Sequence, residues 1–291
     1  MKNKTLLALA AALGSCLALA LCLGLLFAAG VFGARGTEPA AAVEVTEPAI
    51  SARGAILIDA KDGSVLYEKN AHERMYPAST TKIMTALVVL QILDEIDAGP
   101  DSHLVIPAEA AGVEGSSLYL EAGERLTVRE LMYGLMLQSG NDAACALAVC
   151  CGGSMESFVA RMNEEAAALG CNSTHFTNPH GLADEEHYTT AADLARISME
   201  AMKNEDFRRI VAAREWQSEE SGRSFVNKNK TLSQYEGATG VKIGYTMASG
   251  RTLVASAARE GRELIAVVLD DHDWFADAYA LLDYGFSRLG E

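Results

Sequence analysis

The sequence predicts an α+β domain in which one antiparallel β-sheet, built from strands near both ends, packs against a mainly helical middle. Two observations predict it. Short runs rich in Val, Ile and Leu, bounded by turn residues, occur around residues 54–69 and again around 240–269. Between them the apolar residues recur at helical spacing, and no internal repeat is present. Taken in order, Gly54–Ala60, Lys61-Asp62-Gly63 and Ser64–Lys69 read as a β-hairpin closed on Asp62-Gly63. Helices are expected at Ser79–Ile96, Val128–Gln138, Asp142–Cys150, Met155–Leu169 and Thr190–Lys203. The last of these opens on Thr190-Ala-Ala-Asp193, which resembles a capping box. Strands follow at Gly240–Thr246, Arg251–Ala258 and Glu263–Leu269, with turns at Ala248-Ser249-Gly250 and Glu260-Gly261. A helix at Trp274–Leu289 closes the chain.

The 291 residues carry 39 acidic and 24 basic side chains, for a formal charge of −15. That balance argues against a nucleic-acid partner, which calls for a basic face. Lys2 and Lys4 precede a span without charge from Leu6 to Phe32, long enough to cross a bilayer. Residues 1–34 are therefore expected to be a signal peptide or an N-terminal membrane anchor, with Ala40-Ala41-Ala42 a candidate cleavage site. Leu13-Gly-Ser-Cys16 has a lipoprotein-like look, but apolar residues follow where a polar tether is expected. Residues 35–48 read as a linker and 49–291 as the body, placed outside the cytoplasm. Cys16 and Cys22 lie in the apolar segment. Cys145, Cys150, Cys151 and Cys171 show no zinc spacing. Export permits a disulfide between Cys150 or Cys151 and Cys171, although buried thiols are the expected state.

Three short stretches carry chemistry. In Tyr76-Pro-Ala-Ser79-Thr-Thr-Lys82, residues three apart share a helix face, so the amine reaches the hydroxyl. A desolvated lysine can be the base that makes serine a nucleophile; a bare Ser-x-x-Lys also occurs by chance. Ser139-Gly-Asn141-Asp142 puts two polar side chains on a break between helices, where Asn141 or Asp142 could equally be a cap. Thr239-Gly-Val-Lys242-Ile-Gly244-Tyr245-Thr246 sets a cation beside a strand glycine, as an extended peptide ending in a carboxylate would require. An exposed edge lysine with a bulge glycine reads the same way. His175, His180 and His187, near Asp184 and Glu185, match no compact metal motif.

In this order the motifs resemble those of the penicillin-binding proteins and serine β-lactamases. Pro77-Ala-Ser-Thr-Thr-Lys82, Ser139-Gly-Asn-Asp142, Asn178-Pro-His-Gly-Leu182 and Gly240-Val-Lys-Ile-Gly-Tyr-Thr246 are similar to the low-molecular-mass D-alanyl-D-alanine carboxypeptidases. The resemblance spans roughly Pro48 to Phe286 and implies a DD-peptidase fold that trims the terminal D-alanine from peptidoglycan stem pentapeptides. It implies Ser79 as nucleophile, Lys82 as base and Ser139 as proton relay. Asn141, Lys242, Gly244 and Tyr245 would hold substrate, with an oxyanion hole from the N–H groups of Ser79 and Tyr245. It implies β-lactams as covalent inhibitors and neither metal nor cofactor. Many relatives carry a further β-rich C-terminal domain, which is not expected here.

Ile243 departs from the family's pattern, which has threonine there. Loss of one hydrogen bond to a carboxylate costs about 1.5–3 kcal/mol, so a weaker grip on substrate is expected. The alternatives are an impaired wall-binding or penicillin-binding protein on the same scaffold and a β-lactamase. For the latter, no glutamate can be assigned the deacylating role.

Overall fold

The computed structural model describes residues 46–290. The expected leader or anchor at 1–34, most of the linker at 35–48, and Cys16 and Cys22 lie outside the described residues. Strands β1 (Gly54–Asp59) and β2 (Val65–Lys69) form the expected hairpin. A 3₁₀ turn at Ala78–Thr81 leads into α1 (Lys82–Glu95). A two-stranded ribbon, β3 (His103–Val105) with β4 (Arg125–Thr127), precedes α2 (Val128–Tyr133). Then come α3 (Asn141–Gly152), α4 (Met155–Ala168), α5 (Ala191–Ala201) and α6 (Glu205–Ala212). A second ribbon pairs β5 (Glu215–Gln217) with β6 (Ser224–Val226), and α7 (Thr231–Gln234) follows. The chain ends through β7 (Ala238–Thr246), β8 (Gly250–Arg259), β9 (Arg262–Asp271) and α8 (Trp274–Arg288).

The main sheet is antiparallel in the order β2-β1-β9-β8-β7. The first strand pairs with the last, Ile56 opposite Val267 and Leu57 opposite Ala266. Alternate residues serve different layers. Ile56, Ile58, Val254, Ile265 and Val267 join the helical core, while Leu57, Leu253, Ala255, Ala266 and Val268 meet α8. Because both faces are covered, the central strands read as continuous apolar runs. Gly285 allows α8 to lie close on the sheet. A methyl there would come within 2.6 Å of Leu57 Cδ2 and 2.7 Å of Leu264 Cδ1. Gly285→Ala is expected to lower stability by about 1–3 kcal/mol through overpacking, read as a lower urea midpoint with an unchanged slope.

Helix α1 is buried nearly all round, from Lys82 to Leu90 and at Ile92 and Leu93, so it is a core helix without a polar face. Two expected helices differ at one end. The one expected from Ser79 starts as a 3₁₀ turn, and α2 loosens into a π-turn at Gly134–Gln138 before ending at Ser139. At α5, Thr190 accepts the Asp193 N–H, but the Asp193 carboxylate accepts from Ser173 N–H and Thr174 Oγ1 instead of completing a box. The four body cysteines are free thiols. Cys171 donates to the Asp193 carbonyl and Cys150 to the Val105 carbonyl, so the disulfide alternative is discarded. Burial raises Cys151 and Cys171 to about 12 and Cys145 to about 11.

Candidate active site

The segment before α1 is fixed by its backbone. Thr80 Oγ1 and Thr252 Oγ1 both donate to the Pro77 carbonyl, at 2.6 and 3.0 Å. Ala78 takes a left-handed conformation, φ 49°, which turns the half-buried Ser79 out of the core. Ser139 is also left-handed, φ 64°, at the end of the π-turn. Each such non-glycine residue costs on the order of 1–3 kcal/mol and persists only where its surroundings over-determine it.

Lys82 is fully buried and its Nζ makes three hydrogen bonds: Ser79 Oγ at 3.0 Å, Asn141 Oδ1 at 2.8 Å and the His180 carbonyl at 2.7 Å. Burial, and next the charge of Lys242, hold its pKa well below the ordinary lysine value. A neutral amine has two N–H groups and one lone pair. Asn141 Oδ1 and the His180 carbonyl can only accept, so they take the two hydrogens. Whenever the amine is neutral, its lone pair faces Ser79 Oγ, the one partner able to give it a proton.

The loop that supplies the His180 carbonyl is strapped along α1. Thr85 Oγ1 donates to the Pro179 carbonyl at 2.6 Å. His187 accepts the Thr177 N–H on Nδ1, which leaves Nε2–H to donate to Thr81 Oγ1 at 2.8 Å. Burial lowers His187 to about 4 and His180 to about 3, so both rings are neutral at ordinary pH. His180 Nδ1 accepts the Leu182 N–H and shapes the loop. His175 Nδ1 instead bonds the Glu186 carbonyl.

Asn141 and Asp142 divide the work at the start of α3. Asn141 Nδ2 donates to the Glu114 carbonyl at 2.6 Å, so both ends of its amide are engaged within the protein. Any substrate carbonyl held by Asn141 must therefore compete with Glu114. Gly140 holds the N-cap position of α3, and the Asp142 carboxylate accepts the Ala143 N–H of the first turn at 2.9 Å. It also accepts from Ser117 Oγ and from the N–H groups of Leu118 and Leu120, anchoring the segment that carries Glu114.

Near the Lys82 amine, Lys242 on β7 is buried and donates to the Ile243 carbonyl at 2.9 Å. Burial, and then Lys228, lower it to about 7. Lys228 is a third cation in this region, and the sequence reading missed it because it sits in the polar run Asn227-Lys-Asn-Lys230. Its Nζ donates to the Gln138 carbonyl at 2.8 Å, next to Ser139. Gly244 is needed for close approach, but what approaches is the protein itself. A Cβ there would meet Thr252 Oγ1 at 2.5 Å and the Ser79 nitrogen at 2.8 Å. Tyr245, the next residue, is exposed at the free edge of the sheet. Ile243 is half-buried against the apolar cluster under α8. Packing, which the sequence reading did not weigh, is thus a role for this side chain.

A family profile described as D-alanyl-D-alanine carboxypeptidase matches residues 41–273. D-alanyl-D-alanine carboxypeptidase DacF of Bacillus subtilis is 39% identical over 84% of the chain, which spans 64% of that protein's length. The D-alanyl-D-alanine carboxypeptidase of Streptomyces sp. K15 is 36% identical over 88% of the chain and 93% of its own. The crystal structure of the Streptomyces K15 DD-transpeptidase superposes with a TM-score of 0.77 at 35% identity, covering 83% of this chain and 99% of that one. DacD of Francisella tularensis, also a solved structure, gives 0.77 at 29% identity over 84% and 72%.

Proposed function

The chain belongs to the D-alanyl-D-alanine carboxypeptidase family, and on that premise we propose that Ser79 is its acylated nucleophile and Lys82 the general base. The reaction is removal of the terminal D-alanine from peptidoglycan peptides. The observation that carries the residue assignment is the Lys82 amine, whose two acceptor partners leave its lone pair for Ser79. Lys82 takes the Ser79 proton as Oγ attacks the carbonyl carbon of the penultimate residue. The N–H groups of Ser79 and Tyr245 stabilise the oxyanion; removing one such donor typically costs about 10²–10³ in rate. The C–N bond then breaks, the departing D-alanine amine takes a proton through Ser139, and water cleaves the ester. A β-lactam acylates Ser79 in the same way but leaves a persistent adduct.

Lys242 attracts the substrate's terminal carboxylate and Asn141 holds a substrate amide in exchange for the Glu114 carbonyl. Residues 1–34 direct the body at 49–291 to the outer face of the membrane, as a cleaved signal or an anchor. The experiment is mass analysis of a penicillin adduct together with D-alanine release from a pentapeptide. The adduct is expected on Ser79 and absent in Ser79→Ala; a folded wild type giving neither adduct nor D-alanine overturns the reading.

The two buried lysines set opposite limbs of the pH profile. Lys82 must be neutral, so kcat/KM rises as it loses its proton. Lys242 must be charged, so kcat/KM falls as pH passes its value of about 7 in the free protein. Lys242→Arg, charged throughout, is expected to move the falling limb upward while leaving the rising limb in place.

A further inference from the structure

The residue after Asn141 reaches the candidate site through its neighbours. Asp142 is fully buried, and its carboxylate collects donors from Ser117, Leu118, Leu120 and Ala143. Oδ2 alone takes Ser117 Oγ at 2.6 Å and the N–H groups of Leu118 and Leu120 at 2.8 and 3.1 Å. Two N–H groups two residues apart meet one oxygen only if the chain bends between them. It bends at Tyr119, which is left-handed, φ 59°, and 84% exposed. A left-handed tyrosine persists only where its surroundings impose it. The ring is in solvent, so the grip of Asp142 on both flanking amides accounts for the bend.

That bend sets the path of the segment just before it. The Ser116 carbonyl accepts the Asn141 N–H at 2.7 Å, and the Glu114 carbonyl accepts from Asn141 Nδ2 at 2.6 Å. A carbonyl can only accept, so Glu114 decides which way round the Asn141 amide sits, with its nitrogen to Glu114 and its oxygen to Lys82. Turned over, the amide would aim an N–H at Lys82 Nζ and draw the lone pair of the neutral amine away from Ser79. Gly115 leaves room for the contact, since a Cβ there would lie 2.6 Å from Asn141 Nδ2.

Asp142 also acts on Lys82 through its charge. Burial, and then Lys242 on β7, disfavour the Lys82 ammonium, and Lys228 adds to them. Cys145, one turn further along α3, stays a neutral thiol up to about 11. The His180 and His187 rings beside α1 are neutral as well, with values of about 3 and 4. None of these three brings a charge at ordinary pH, and Asp142 is the carboxylate that most favours the ammonium.

We propose that Asp142 is a positioning residue for the reaction, which orients the Asn141 amide through Glu114 and keeps a negative charge near the Lys82 amine. It touches no substrate and exchanges no proton. The inference rests on the reading of Lys82 as the base of Ser79.

The test is the pH dependence of the rate at which penicillin labels Ser79, with the melting temperature measured beside it. Asp142→Asn keeps the volume and removes the charge. One arm of its amide now donates, so the grip on Leu118 and Leu120 loosens. The rising limb is expected to move to lower pH, because the ammonium has lost the carboxylate that favoured it. The plateau is expected to fall by about ten- to a hundredfold, the usual cost of a misplaced group. Gly115→Ala breaks the Glu114 contact from the other side and leaves the carboxylate in place. Its plateau falls too, with a smaller move of the limb in the same direction. A purely structural anchor would lower the melting temperature and leave the limb where it is. A folded Asp142→Asn whose limb stays at the wild-type position overturns the proposal, whatever its plateau. Should that variant not fold, a Gly115→Ala protein with the wild-type profile overturns it. A wild type that takes no label counts against Ser79 and Lys82 themselves, while a labelled wild type with unmoved variants counts against Asp142 alone.

Discussion

Lys82→Met is expected to slow acylation of Ser79 by about 10²–10⁴-fold, the usual contribution of a positioned general base. The effect is read as the rate of penicillin adduct formation and as D-alanine release. Methionine keeps most of the bulk, so a cavity does not confound the result. Two opposing changes act on stability. The Asn141 and His180 oxygens lose their donor, at about 1–3 kcal/mol each if left dry, while the cost of burying an amine disappears. A near-neutral melting temperature beside a large rate loss is therefore the expected signature. The pH dependence of stability has a definite sign. The folded amine binds protons less tightly than the unfolded chain, whose lysine value is 10.5. Wild-type stability thus falls as pH drops from about 10.5 toward the lowered folded value, and the methionine variant lacks that component. A variant acylating at the wild-type rate would remove Lys82 from the role.

Gly181→Ala is expected to be at least as damaging although glycine carries no side chain to take part in chemistry. Gly181 has φ 89°, and a Cβ there would lie 1.8 Å from the Ala78 carbonyl oxygen and 2.9 Å from Thr81 Oγ1. Neither a left-handed alanine nor that overlap can be relieved by rotating a side chain. Either the loop from Asn178 to Leu182 lifts away from the turn at Ala78–Thr81 or the turn shifts. Lifting the loop takes the His180 carbonyl off Lys82 and frees its lone pair from Ser79. A loss of more than about 3 kcal/mol in stability is expected, with penicillin acylation reduced in whatever fraction remains folded. A variant with wild-type stability and adduct rate would show that the loop is not the clamp described here.

The sequence made the long elements legible because they have many residues in register. The central strands β8 and β9 and the core helix α1 announce themselves by length and apolar content. The two ribbons have three residues per strand, too few for alternation to register. Helix α6 was also missed, although Asn204 followed by Glu205 and Asp206 was an available cap signal. At the candidate site, Ser79 and Lys82 could be paired from spacing alone, while Ser139, Asn141 and Lys242 were singled out through their motifs. The groups that complete it are mostly backbone carbonyls, of Pro77, Glu114 and His180, and a carbonyl has no side-chain signature. Gly244 was recognised as a site of close approach, yet its neighbour is the Ser79 backbone, which only the fold brings there.

The pairing of β1 with β9 has a consequence for biogenesis. An emerging chain that has yet to release β9 lacks the strand on which β1 docks, and the Ser79 turn lacks its β7 neighbour Gly244 until most of the body has been made. Long-range strand pairing of this kind forms slowly, because distant segments must meet before contacts reward them. The topology keeps the polypeptide inert until its last strands arrive, and the Ser79 turn meets Gly244 of the edge strand only with completion.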